Sequence, residues 1–136
     1  MKNLLFLFFC CLIFNCTIAQ DIESSSHCVV GFVEKDGTIQ NANHSIIGFF
    51  NNDGTIEDNT HQVLGYISKE GTIESNSHSP VGYVKSNGDV ENSNHNTIGY
   101  IKTDGTVENG AHSIIGYAKG VKKEWIAVIY FFIKFM

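Results

Sequence analysis

The chain has 136 residues, 43% of them hydrophobic and 17% charged, with one proline, 13 glycines and a net charge of −5. That length suits one domain. The acidic balance argues against nucleic acid or an anionic membrane surface as a partner.

Residues 1–19 read as a targeting segment outside the fold. Lys2 supplies the positive start, an apolar run covers residues 4–14, and Thr17-Ile18-Ala19 offers small residues before a cut at Gln20. A lipoprotein signal needs small residues just ahead of a cysteine, and Cys16 follows Phe14 and Asn15. The run is short for a membrane span. Cleavage removes Cys10, Cys11 and Cys16 and leaves Cys28 alone, so no internal disulfide can form. It also removes Lys2, which takes the net charge to −6. The expected location is exported: periplasmic, outer-surface or secreted.

From residue 20 to residue 120 a 17-residue unit repeats without insertion. His27, His44, His61, His78, His95 and His112 keep strict phase. Gly31, Gly48, Gly65, Gly82, Gly99 and Gly116 follow them, each leading into Phe32, Phe49, Tyr66, Tyr83, Tyr100 or Tyr117. A second glycine series, represented by Gly37 in Lys35-Asp36-Gly37, stands before Thr or Asp and then Ile or Val.

Each unit predicts two short strands. The first is β-branched and aromatic, as in Ile46-Ile47-Gly48-Phe49-Phe50, and the second is short, as in Thr55-Ile56-Glu57. Asp or Asn followed by Gly between them signals a hairpin. The following Thr predicts a type I turn with Gly left-handed and a bulge. Glycine falls too often for helix, and no 3.6-residue period survives. One hairpin cannot bury a face alone, but stacked neighbours can.

The ends of the repeat region are complementary. Residues 21–27, DIESSSH, align with residues 72–78, TIESNSH, so the mature chain starts at a second strand. The last unit stops after its first strand. Two half-units predict a closed ring, which removes the exposed edges of an open stack. Residues 121–136 break the pattern, with Trp125-Ile126-Ala127-Val128-Ile129-Tyr130-Phe131-Phe132-Ile133 too short to span a bilayer as a helix. The expectation is a last apolar strand packed on the repeat domain. It competes with the strand of Ile22 for the closing position, which leaves five-fold and six-fold rings both open.

These features together resemble the bacterial β-flower repeat proteins. The motif H-x-x-x-G-[FY]-x-x-x-[DEN]-G-[TD]-[IV], the signal ending in Ala19-Gln20 and the Trp- and Phe-rich terminus carry the likeness. The resemblance implies short hairpins set radially about an axis, and it implies no function. The expected fold class is therefore all-β, with tandem 17-residue hairpins closed into a five- to six-fold flower- or propeller-like ring. Departures from the pattern are Pro80 and Thr97 at aliphatic places and Asp89 after Gly88. Proline lacks a backbone donor, so Pro80 should start its strand.

Two residue series could carry chemistry. The six histidines, with Glu23, Gln40, Glu57, Glu74, Glu91 and Glu108 four residues ahead of them, contain the parts of a metal site. A metal is the one cofactor these residues suggest. A repeated His beside a polar turn more often ties loops together, and that structural role is the favoured reading. Tyr66, Tyr83, Tyr100 and Tyr117 could stack on sugars or cations. Strand alternation instead puts Phe49 on the same face as Ile47, toward the core, with tyrosine hydroxyls reaching a rim partner. His27 and Cys28 are adjacent on a strand and so point apart, which argues against a nucleophile pair. No G-x-S-x-G, phosphate-cradling glycine loop or H-E-x-x-H occurs. The expected function is a non-enzymatic exported binding or scaffold module with several equivalent shallow sites. A glycan or cell-envelope polymer is the first ligand class to test, and a metal-binding histidine ring is the alternative. An open stack resembling choline-binding repeats ranks last, because the tryptophans of such sites are missing.

Overall fold

The structure, a computed structural model, describes residues 18–135. The targeting segment expected over residues 1–19 lies outside these, apart from Ile18 and Ala19. The described residues form twelve antiparallel strands in one closed barrel. Strands β1 (Gln20–Ser24), β2 (Val29–Val33), β3 (Thr38–Asn41) and β4 (Ile46–Phe50) lead into β5 (Thr55–Asp58), β6 (Val63–Ile67), β7 (Thr72–Ser75) and β8 (Pro80–Val84). Then come β9 (Asp89–Asn92), β10 (Thr97–Ile101), β11 (Thr106–Asn109) and β12 (Ile114–Tyr117). Pro80 begins its strand, where its missing donor costs no ladder bond.

The ends meet. Strand β1 pairs with β12 through Glu23 opposite Tyr117 and Ser24 opposite Gly116. Five continuous hairpins, β2–β3 to β10–β11, are therefore completed by a sixth pair made from the two half-units. The alternatives resolve in that way, and β1, not the C-terminal segment, takes the closing position.

Each hairpin turn is the predicted one. In the first, Glu34 N–H donates to Thr38 O at 2.9 Å and Gly37 N–H to Glu34 O at 3.0 Å. Gly37 has φ +95°, and a Cβ there would overlap the Phe50 carbonyl oxygen. Glycine avoids both penalties.

Inward-facing aliphatics line the barrel. Ile22, Ile39, Ile56, Ile73, Val90 and Val107 are wholly buried, one per repeat. Each such side chain contributes about 1.5–3 kcal/mol by leaving water. A barrel of eight strands is just filled by its own side chains, so twelve short strands leave a wider lumen. The C-terminal segment fills it.

That segment is helical and not the strand expected from its composition. Helix α1 (Lys123–Ala127) passes into a π-helical turn (Val128–Phe132). The reason lies in the ring. Closure leaves no unpaired strand edge inside the barrel, so a buried backbone must satisfy its own N–H and C=O groups. Ile126 N–H duly bonds Lys122 O at 3.0 Å, and Ile133 N–H bonds Val128 O at 2.8 Å.

In four repeats the glycine ahead of the outer aromatic is what admits the plug. Cβ atoms at Gly116, Gly99 and Gly82 would collide with Tyr130, Phe131 and Phe132 respectively, and one at Gly48 with Phe135. Three consecutive plug residues thus reach three consecutive repeats. An α-helix turns about 100° per residue. The wider π turn advances less per residue, which is closer to the one-sixth turn between repeats. Trp125 stacks on Phe50 with centroids 5.0 Å apart. Tyr130 latches the closure, its hydroxyl lying 2.7 Å from Glu23 O and 3.1 Å from Tyr117 O. Burial pushes that hydroxyl up to about 12. No helix among the described residues is long and apolar enough to cross a membrane.

Candidate functional site

The outward surface carries one construction six times. It begins with backbone strain. His27, His44, His61, His78, His95 and His112 all have φ between 60° and 64°. The left-handed region is unusual for a side chain other than Gly, Asn or Asp, and costs roughly 1–2 kcal/mol. The loop that holds it has the same bonding as the glycine turn: Asn41 N–H to Ser45 O at 3.0 Å and His44 N–H to Asn41 O at 2.9 Å. Asn41 Oδ1 also accepts from Asn43 N–H and Ser45 N–H at 2.9 and 3.0 Å.

This conformation folds each imidazole back over the preceding strand. It stacks on the aromatic twelve residues earlier: His44 on Phe32, His61 on Phe49, His78 on Tyr66, His95 on Tyr83 and His112 on Tyr100. His27 stacks on Tyr117 across the closure. Centroid separations run from 4.1 to 4.7 Å, with ring planes within 14°. Nδ1 simultaneously meets the carboxylate four residues back, at 2.8 Å for Glu57, 2.9 Å for Glu23, 3.0 Å for Glu91 and Glu108 and 3.2 Å for Glu74. Gln40 Oε1 does the same for His44 at 3.2 Å. Glu57 lies directly across from Phe49 in the ladder, so all three groups share one outer face.

A carboxylate can only accept, so Nδ1 carries a proton and Nε2 is left facing solvent. The imidazoles stay 61–68% exposed where paired with Glu. The hydrogen bond from His95, followed by Lys85, holds the Glu91 carboxyl below its usual range; His112, followed by Lys102, does so for Glu108. Those lysines stand 3.3 and 3.4 Å from their carboxylates.

The aromatic series is not in the core, where alternation from Ile47 would have put it. A bulge in every repeat is responsible. Ile39 pairs with Gly48, but Gln40 pairs with Ile46, so Ile47 is an extra residue that turns inward. Phe49 consequently faces out. The tyrosine rings are half-buried under their imidazoles, and among the described residues their hydroxyls bond no protein group. Tyr66, Tyr83, Tyr100 and Tyr117 therefore present a covered face, and the surface a ligand meets first is the imidazole. Each His is thus held between an aromatic ring and a side chain four residues back, and for His27 the ring lies across the closure. The histidines are not gathered: among the described residues no three His, Cys, Asp or Glu side chains converge on a metal position. Cys28 is exposed and unpaired.

Residues 19–134 match the family described as 5-fold beta-flower protein. The chain belongs to that family. No curated protein and no solved structure matches it. In this β-flower chain five continuous hairpins run from β2 to β11, and β1 with β12 closes the circle.

Proposed function

We propose that this β-flower chain is an exported, non-enzymatic module that binds a hydroxyl-rich polymer, a glycan or other cell-envelope polymer, through six shallow equivalent units. The single observation that carries the reading is the repetition of one outward aromatic–imidazole unit in every repeat, the imidazole held by a carboxylate in five repeats and by the Gln40 amide in the sixth. Six Nε2 acceptors suit hydroxyl donors, and weak contacts multiply when one polymer reaches several units. Val29, Ile46 and Ile114 lie beside three successive units and are 40–45% exposed, which adds apolar surface for sugar C–H groups. The carboxylates are already engaged with His, and in two repeats with Lys, which supports a structural use over acid–base work. Residues 1–19 support export.

A panel of glycans and envelope fragments over the immobilised protein tests this. Polymers should bind more tightly than their own short oligomers. Replacing His61, His78 and His95 together by Asn, which tolerates left-handed backbone, should lower polymer binding at least tenfold. Absence of binding across the panel, or binding indifferent to that triple change, would falsify the proposal.

A further inference from the structure

We propose that the histidine end of the barrel docks on a lipid surface, which the aromatic plug enters. The two ends of the barrel differ in charge. The glycine turns carry charged residues, such as Lys35, Asp36, Lys69 and Glu70, and the start of the plug adds Lys122, Lys123 and Glu124. Lys123 Nζ donates to Ser86 O in one of these turns at 3.1 Å, which places the start of the plug at that end. The six loops at the histidine end read SSSH, NANH, DNTH, SNSH, NSNH and NGAH. Asp58 is their one carboxylate, and its own loop uses it: the Thr60 hydroxyl, Thr60 N–H and Gln62 N–H donate to Oδ1 at 2.7, 2.8 and 3.0 Å.

Within this neutral rim the barrel end is apolar and open. The plug is buried from Trp125 to Val128, and from Ile129 to Ile133 it is partly exposed. The bulge residue of each repeat, Ile47 and its five equivalents, is partly exposed as well and packs on the same core. A depression of about 270 Å3 is lined by Ile129 to Lys134 alone, so no loop roofs the plug. Twelve strands about 4.8 Å apart, with the tilt of a barrel, enclose a mouth of about 450 Å2. An apolar patch of that size marks an interaction site. Val29, Ile46 and Ile114 extend it over the lip beside the ring closure.

Area and charge choose the occupant. A stable protein interface buries about 800 Å2 on each partner, well beyond this mouth. A second copy would also set its own Lys134 against this one, since Lys134 is exposed on the plug. A fluid lipid surface has no shape to match. Its phosphates attract Lys134 while the acyl boundary receives the plug's rings. The neutral loops can bond headgroups without dehydrating a charge.

Flotation with phosphatidylcholine vesicles tests this on the mature chain from Gln20, in which the barrel is complete. About half of the protein should float at about 1 mM lipid. Ala42→Glu, Asn76→Glu and Ser93→Glu together charge three exposed loop tips at the histidine end. They should lower the bound fraction about tenfold, because each new carboxylate must shed water at the surface. Asn52→Glu, Ser86→Glu and Thr103→Glu together add the same charge at exposed places on the glycine-turn end, and flotation should stay unchanged. Both triple variants should keep the parent's unfolding midpoint, since all six positions are exposed. No flotation up to about 10 mM lipid overturns the proposal. So does an equal loss from both triple variants, or a loss from neither. A dimer in light scattering that only the histidine-end variant takes apart overturns it too, by giving this face to a second copy.

Discussion

Each of the five continuous repeats of this protein contains two turns with similar backbone bonding and two different residues at the strained position. At one end of the barrel Gly37, Gly54, Gly71, Gly88 and Gly105 take φ from 86° to 95°. At the other end histidine takes φ from 60° to 64° in an equivalent three-residue loop. Glycine there is explained by the backbone alone. Histidine is not, because glycine would sit in that loop with less strain. Its presence has to be accounted for by the ring, which stacks on an aromatic and hydrogen-bonds a carboxylate or, for His44, the Gln40 amide. Such contacts contribute roughly 0.5–1.5 kcal/mol each, enough to offset the strain. The contrast shows that one turn shapes the barrel and the other displays a side chain.

The comparison can be broken hardest at the glycine turn. Gly88→Ala adds a Cβ that overlaps the Ile101 carbonyl oxygen and adopts a left-handed φ besides. Thermal unfolding should show a loss of roughly 3 kcal/mol. The histidine turn should respond in two grades. His95→Ala loses the ring and keeps the strain, for about 1–2 kcal/mol. His95→Gly loses the ring and relieves the strain, so it should cost less than His95→Ala in the same assay. The reverse order would mean that the histidine turn holds no left-handed strain for glycine to relieve, and no cost above zero for His95→Ala would mean that the ring contributes nothing.

Acid sharpens the contrast further, since both turns hold a carboxyl below its ordinary value. The backbone N–H of Thr55 does so for Asp53, and that of Thr106 for Asp104. Histidine does so for Glu91 and Glu108. A depressed folded-state value adds stability that is complete above the ordinary range and disappears as pH falls through the folded value. Denaturation midpoints should therefore drop below about pH 4.5 for the glutamates and below about 3.8 for the aspartates. Glu91→Gln with Glu108→Gln should flatten the upper part of that fall and leave the lower part. The smallest effect is expected for Glu57→Gln. Gln40 already accepts the bond from His44 in its own repeat, so the unfolding free energy should move by less than about 0.5 kcal/mol.

Much of this protein was legible in its residues. Asp-Gly pairs between apolar runs specify hairpins, because left-handed backbone at that place needs glycine and a short polar partner. The alignment of residues 21–27 with residues 72–78 specifies closure, because two half-units leave edges only the other can satisfy. The glycine series ahead of the outer aromatics was plain in the residues, and at Gly82, Gly99 and Gly116 it is where the Phe132, Phe131 and Tyr130 rings approach. The partnership of His with the residue four places earlier was visible too, but its stacking on a ring twelve places earlier was not.

What the tertiary structure decided depends on relations between segments. A single extra residue in each first strand, Ile47 in its repeat, moves the aromatic from core to surface. Nothing local marks it, because Ile46 and Ile47 are interchangeable in propensity and only the partner strand determines which one bulges. The C-terminal segment has strand-like composition, yet it coils, because the ring it enters has no free edge to pair with. Local chemistry set the turns and the repeat; the face of each aromatic and the state of the plug follow from hydrogen-bond partners that exist only once the barrel has closed.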